Sequence, residues 1–295
     1  MDLDTLIISV FCQIDDHLQT IFSGKRLRQR GRAPLLSDAE VLTIETVGEF
    51  LGFSQDKQIY EYFRRHHQTL FPNLRRVHRT SFVRQAANLW RVKEQLWQAV
   101  LRDLKFDRQI SLIDSFPVEV CRFARANRCR TLREISAFGY DEVARQTFFG
   151  VRFHLRVALP GIITAFEFAP ANVHEIKVAE ELFENVKGFA LGDRNYWSPD
   201  FLARAREKGL QIIAPFRKAK YEKRKFPRSL TNLRRRIETV IGQLAGRFTI
   251  KRVWARDCWH FCSRLLRKVL AHTIFVGLCQ KQGCEPLQMA QLLSN

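Results

Sequence analysis

The chain has 295 residues, with 49 Lys+Arg against 30 Asp+Glu and a formal net charge of +19. Hydrophobic residues make up 46%, and 24 residues are Phe, so there is ample material for a core and a disordered basic tail protein is excluded. The longest apolar run, Val269 to Cys279, falls short of the roughly 20 residues that cross a bilayer. Seven cysteines in so long a chain read as free thiols, and the acidic start Met1-Asp2-Leu3-Asp4 is unlike a secretory signal. These features predict a soluble, cytoplasmic chain with no membrane contact. Its surplus positive charge needs a polyanion, and nucleic acid is the default.

Residues 1–105 read as an all-helical N-terminal domain. Leu6, Ile7, Val10, Phe11, Ile14 and Leu18 recur at helical spacing. Ser37-Asp38-Ala39-Glu40 is a capping box that starts a helix at Ser37 and runs it to about Gly52. Gln58 to His66 is a further short helix. Thr80 or Ser81 caps a longer one, with Phe82, Ala86, Leu89, Lys93, Leu96, Val100 and Leu104 along one face. Short helices with basic connectors suggest a DNA-binding role for this domain.

Residues 106–295 follow a different pattern. Gln109 to Asp114 is a short apolar strand, and Val151 to Leu159 alternates strictly. Pro160-Gly161 turns the chain into an antiparallel partner, Ile162 to Phe168. Next come a helix from Glu175 to Asn185, a strand from Gly188 to Gly192, a helix capped by Ser198 and a strand from Leu210 to Pro215. A basic linker at 216–230 leads into a helix with Leu230, Leu233, Ile237, Val240, Ile241 and Leu244 on its apolar face. A C-terminal helix covers Asp257 to Gln280.

The positive charge is clustered. Lys25, Arg26, Arg28, Arg30 and Arg32 form one group, and ten Lys or Arg between Arg217 and Arg236 face a single acid, Glu222. Such clusters neutralise phosphates with strong salt dependence and little sequence reading. Candidate DNA-binding residues are Arg26, Arg28, Arg30, Arg194, Arg217, Lys218, Arg234 and Arg235.

Three acids stand where a purely structural role is uncomfortable. Asp114 and Asp193 each end an apolar strand, and Glu238 lies mid-helix beside an apolar face. Burying an ionised carboxylate costs several kcal/mol unless it is compensated. A strand-end Asp also caps turns, and Glu238 is one helical turn from Arg234, with which it can pair. Together, however, three carboxylates in a basic protein offer oxygen ligands to hard divalent cations, Mg²⁺ or Mn²⁺. Two such ions support displacement at a phosphodiester.

The segments Ile113-Asp114-Ser115-Phe116-Pro117, Gly192-Asp193-Arg194-Asn195-Tyr196 and Arg234-Arg235-Arg236-Ile237-Glu238 resemble the three signatures of DDE transposases of bacterial insertion sequences. Positions 114, 193 and 238 are spaced as in a compact member. Pro170-Ala171-Asn172-Val173-His174-Glu175 is similar to the segment such enzymes carry before the second aspartate. Leu36-Ser37-Asp38-Ala39-Glu40 and Leu70-Phe71-Pro72-Asn73-Leu74 most resemble the insertion sequence 982 family. The resemblance implies an RNase H-like catalytic domain over 106–295, a five-stranded mixed sheet flanked by helices. It implies Asp114, Asp193 and Glu238 as catalytic metal ligands for two Mg²⁺ or Mn²⁺ ions, with His174 and Asn172 as active-site neighbours. The partners it implies are double-stranded DNA, as terminal inverted repeats and target, bound by a homodimer in the bacterial nucleoid. Where related enzymes place Tyr and Lys around the glutamate, this chain has Thr231 and Ala245, which puts that phosphate-positioning pair in doubt. A nuclease that cuts without joining, and a catalytically silent DNA-binding derivative, are the alternatives.

Cys258-Trp259-His260-Phe261-Cys262, with His272, Cys279 and Cys284 downstream, matches no familiar zinc spacing and reads as free thiols. Trp254 and Trp259 read as core residues, with base stacking as the alternative. No Gly-rich phosphate loop indicates ATP.

Overall fold

The computed structural model describes residues 1–293 other than Arg26, Gln29, Arg30 and 216–225. Most of the predicted basic linker therefore lies outside the described residues. The chain divides into two compact units, Met1–Leu104 with Leu244–Asn295, and Lys105–Gln243. No helix among the described residues is long and apolar enough to cross a membrane.

In the first unit, α1 (Leu3–Phe22) is capped by the Asp2 side chain, which accepts from the Thr5 amide, and it buries Leu6, Ile7, Val10, Ile14 and Leu18. Helix α2 (Asp38–Phe50) carries the reciprocal capping box of Ser37 and Glu40. Helix α3 spans Asp56–His66. The long helix expected after Thr80 is instead two, α4 (Arg79–Asn88) and α5 (Trp90–Asp103), with His78 rather than Thr80 or Ser81 as the cap. The break has a side-chain cause. The Ala86 carbonyl accepts from Lys93 Nζ at 3.0 Å and from Ser263 Oγ at 3.3 Å, so tertiary donors take up an acceptor that a continuous helix uses for itself.

The second unit is built on a six-stranded mixed sheet rather than the five strands expected. Its strands are β1 (Ile110–Glu119), β2 (Ala137–Asp141), β3 (Gln146–Ala158), β4 (Ile162–Pro170), β5 (Gly188–Leu191) and β6 (Leu210–Ile213). The extra strand is β2. It pairs with the first residues of β3, up to Gly150, and β4 takes over the same edge from Val151 onward. Gly150 sits at this changeover because a Cβ there would lie 2.2 Å from the Val118 carbonyl oxygen. β1 is antiparallel to β3 and parallel to β5, and β5 is parallel to β6. Helices α6 (Glu175–Leu182) and α7 (Pro199–Glu207) cover one face. There Ile113, Val178, Ala179, Leu182, Ala190, Tyr196 and Phe201 form a buried cluster. Helix α8 (Arg228–Gly246) buries Ile237, Val240 and Leu244, and the division between units falls within it.

The last helix, α9 (Cys258–Lys281), belongs to the first unit and is buried along most of its length. It carries cations into the interior. Arg267 Nε lies 2.6 Å from Glu49, and its Nη1 lies 2.9 Å from Glu45 and 2.6 Å from Asp56. Lys268 Nζ donates to Glu49 at 2.7 Å and to the Phe248 carbonyl, while Lys93 Nζ lies 2.7 Å from Glu45. Removing one partner from such a set strands the others in a low-dielectric interior. Arg267→Met should therefore lower unfolding stability by about 3–5 kcal/mol, read as a lower denaturant midpoint. A variant within 1 kcal/mol of wild type would contradict this account.

Candidate active site

β1 and β5 run side by side in the same direction, and the pairing ends at Leu112 and Leu191. Asp114 and Asp193 each follow two residues further on, just past the end of this pairing. Asp193 leaves β5, whereas Asp114 does not end its strand as expected but lies mid-way along β1, opposite Leu155, because β3 keeps pairing with β1 as far as Glu119. Asp114 Oδ1 accepts from the Ser115 amide at 2.8 Å, and Asp193 Oδ1 accepts from the Asn195 amide at 2.9 Å, opening a short 3-10 turn. Gly192 is required before it, since a Cβ there would press on the Tyr196 ring at 2.8 Å. Helix α8 contributes Arg234, whose Nη2 lies 3.8 Å from Asp114 Oδ2 and 4.0 Å from Glu238 Oε1. The Asp114 side chain is 21% exposed and that of Glu238 58%. One guanidinium thus stands between the strand acid and the helix acid, with its Nε buried and without a hydrogen-bond partner.

Two further residues join the site that sequence reasoning did not single out. Glu175, the first residue of α6, accepts through Oε1 from Ser115 Oγ at 3.1 Å and from Arg152 Nη1 at 3.0 Å. The Asn195 side chain also bonds to Glu175. One carboxylate therefore ties the residue after Asp114 to the residue two beyond Asp193. Arg152, on β3, reaches on through Nη2 to the Tyr140 carbonyl at 2.9 Å. The only signal in the sequence was the position of Arg152 on the polar side of an alternating strand, where a solvated role is the ordinary reading.

The electrostatics are those of crowded acids. Burial pushes the Asp114 carboxyl up to about 7; the Ser115 amide opposes this, the charge of Asp193 adds to it, and Arg234 pulls it back. Burial likewise raises Asp193 and Glu175, and it holds the Tyr196 phenol well above its ordinary value, with the neighbouring carboxylates adding to the effect. His154, opposite Ser115 across the β1–β3 ladder, is fully buried with neither ring nitrogen partnered, and burial lowers it to about 3.

Among the other predicted residues, Arg28 makes a two-pronged pair with Asp38 at 3.0 and 2.8 Å. Arg194 and Arg235 are exposed, as is Asn172. His174 caps α6, its ring nitrogen accepting from the Ile176 amide at 3.2 Å. Arg26, Arg30, Arg217 and Lys218 lie outside the described residues. Cys258 and Cys262 have sulfurs 3.7 Å apart, with His260 held by Asp257. Trp254 and Trp259 are largely exposed rather than core residues, and Trp259 stands edge-on to Trp90 at 5.6 Å.

Among the described residues, no three His, Cys, Asp or Glu side chains are placed to share one ion. The oxygens nearest to one another there belong to carboxylates, which suit a hard divalent cation. The sheet thus carries Asp114 and Asp193 on adjacent parallel strands, with a third acid, Glu238, on a following helix. The family model described as a transposase DDE domain matches residues 105–257, just over half the chain and including Asp114, Asp193 and Glu238. The chain belongs to the DDE transposase family. No curated protein matches it. Among solved structures it is similar to the piggyBac transposase synaptic complex with hairpin DNA, at 9% identity and a TM-score of 0.47, over 96% of this chain and 76% of that one. It also matches the Mos1 mariner paired end complex with Mn, at 11% identity and a TM-score of 0.23, over 80% of this chain and 86% of that one. A pre-cleavage Mos1 transpososome matches at 12% identity and a TM-score of 0.23, over 79% and 84%.

The raised carboxyl has a consequence for stability. Unfolded, Asp114 ionises near pH 4; folded, it holds its proton up to about 7. Between these values the folded state binds the extra proton, so this contribution is fully present below about pH 4 and is lost as pH rises through about 7. In metal-free thermal melts, Asp114→Asn should match wild type near pH 4 and melt above it at pH 8. Parallel pH profiles for the two proteins would refute the shift.

Proposed function

We propose that the chain is the transposase of a bacterial insertion sequence, of the insertion sequence 982 type. On this reading it cuts phosphodiester bonds at the element ends and joins the freed 3′ hydroxyls to target DNA. The observation that carries it is the placing of Asp114 and Asp193 on adjacent parallel strands, with Glu238 linked to Asp114 through Arg234, inside the family-matched segment. Asp114, Asp193 and Glu238 would hold the divalent cations, two Mg²⁺ or Mn²⁺ ions, and the RNase H-like core implied by the resemblance would serve to present them. Bound there, the ions would activate the attacking oxygen and stabilise the leaving one.

The chain's own residues prepare this arrangement. Glu175 and Arg152 fix the Ser115 and Asn195 positions, which keeps the two aspartate-bearing turns at constant separation. Arg234 offsets the repulsion between Asp114 and Glu238 while no cation does so. In the first step water attacks phosphorus and the strand leaves as a 3′ hydroxyl that takes a proton. In the second that hydroxyl, giving up its proton, attacks a target phosphodiester, so that one P–O bond forms as another breaks. Residues 1–105, with Arg26, Arg28 and Arg30, and the basic stretch with Arg217, Lys218, Arg234 and Arg235 would hold inverted repeats and target within a homodimer. Arg194 would meet DNA beside Asp193.

Alanine at Asp114, Asp193 or Glu238 should abolish Mn²⁺-dependent nicking of a fragment carrying the element ends, while leaving its affinity for that fragment unchanged. Full nicking by Asp114→Ala would sink the assignment. Pre-cut ends offered with a target plasmid separate a transposase, which joins them, from a nuclease, which does not.

A further inference from the structure

Between β1 and β2 the chain makes an excursion of short 3-10 turns over Phe123–Arg128 and Arg133–Ile135. Arg122, Arg125, Arg128, Arg130 and Arg133 all lie on it and all are exposed, against one acid in the same stretch, Glu134. None of these arginines has a carboxylate partner among the described ion pairs; Arg133 alone bonds back, to the Asn127 and Cys129 carbonyls. Exposed aromatic rings are interleaved with them. Phe123 is 54% exposed and stands edge-on to Phe138 at 6.1 Å; Phe138 is 45% exposed and Tyr140 52%.

Register places these rings on the acid side of the sheet. Gly139 faces Ala171, so its neighbours Phe138 and Tyr140 face the other way. Phe138 lies opposite Phe149 on β3, and Phe149, Val151, Phe153 and Leu155 share one face by alternation. Leu155 is opposite Asp114. Phe138 and Asp114 therefore look out from the same face, separated by at most about 20 Å of strand. The β2–β3 hairpin is also tied to the site, since Arg152 bonds both the Tyr140 carbonyl and Glu175.

We propose that this arginine and aromatic surface is a binding site for unpaired nucleotides of the DNA strand that enters the carboxylate site. The arginines would hold successive phosphates and Phe123 with Phe138 would stack on a base. Charge sign selects a polyanion, and exposed rings set among the cations select one whose bases are free to stack. A duplex keeps its bases stacked on one another and gains nothing from the rings. The inference rests on the transposase reading and extends it to a part of the substrate.

The test uses the full chain and an end-labelled single-stranded oligonucleotide of mixed sequence, with the matching blunt duplex as control, by fluorescence anisotropy across NaCl concentrations. Arg122→Ala, Arg125→Ala and Arg128→Ala combined should flatten the plot of log Kd against log salt for the single strand by about 2, three phosphates at ~0.7 each. Phe123→Ala should weaken single-strand binding by on the order of tenfold with an unchanged slope, and Phe123→Trp should restore it. Unchanged slope and affinity overturn the proposal. So does an equal loss for the blunt duplex, which marks a plain backbone contact, or an altered oligomeric state in sedimentation with DNA affinity intact, which marks a contact between copies. The two readings fail separately. Wild type that nicks DNA, with arginine variants that bind the single strand normally, removes only this surface. Wild type that never nicks DNA, with the slope change present, removes only the transposase.

Discussion

Mutual repulsion among carboxylates gathered at one end of a sheet is the constraint on which this molecule's second unit depends. Parallel pairing of β1 with β5 fixes where Asp114 and Asp193 emerge, and the helix that follows β4 starts at Glu175 in the same place. Left to themselves these groups would separate or take up protons: burial raises Asp114 to about 7, and the charge of Asp193 adds to the rise. What prevents separation is bonding from the second row outward. Glu175 is gripped by Ser115, Arg152 and Asn195, so the turns carrying the aspartates are held by one acceptor. Burial of Ile113, Ala190 and Tyr196 beneath them fixes the strand ends against α6 and α7.

The first unit meets the same problem and solves it differently. Glu45, Glu49 and Asp56 are all buried or nearly so, but Lys93, Arg264, Arg267 and Lys268 match them with short contacts. In that set four cations face three carboxylates, so every acid has a partner within 3 Å. Around Asp114 the contacts to Arg234 are long and the acids outnumber the guanidiniums, in a chain whose overall charge is +19. A protein so rich in arginine has no shortage of counter-charges to place. In the proposed reading, that scarcity leaves the acids open to a hard cation.

Much of this was legible in the chain. Strict alternation on β3, the Pro160-Gly161 turn and the apolar runs before Asp114 and Asp193 are short-range signals that locate these strands, although β1 runs on past Asp114 to Glu119. The losses came where distant residues decide local structure. Leu89 breaks a helix because Lys93 and Ser263 occupy the Ala86 carbonyl, and Ser263 is far away in sequence. The strand β2, Ala-Phe-Gly-Tyr-Asp, is short and holds a glycine, and it exists because the first residues of β3 have an unpaired edge. Glu175 and Arg152 each look ordinary alone; their importance lies in converging on Ser115. Trp254 and Trp259 suggest core by residue type, yet Trp254, in the segment before α9, and Trp259, in its first turn, are both exposed.

Arg234 is the residue on which the proposed chemistry turns, because its contacts are of a kind that yields. At 3.8 and 4.0 Å from its two carboxylates it lies beyond hydrogen-bond range of either, and its attraction to them is electrostatic without a fixed geometry. Such an interaction compensates charge while allowing the side chain to withdraw. A divalent cation brings twice the charge and direct coordination to the same oxygens, so it would displace the guanidinium rather than share the space. Arg234 would then stand free, still beside the site, at the moment a phosphate arrives needing a cation. Glu238, exposed and one turn along the same helix, gains the freedom to swing toward Asp114 by the same event. On this reading the arginine serves first as a stand-in for the metal and then as a partner of the DNA, where its planar fork suits a phosphate better than the point charge of a lysine would.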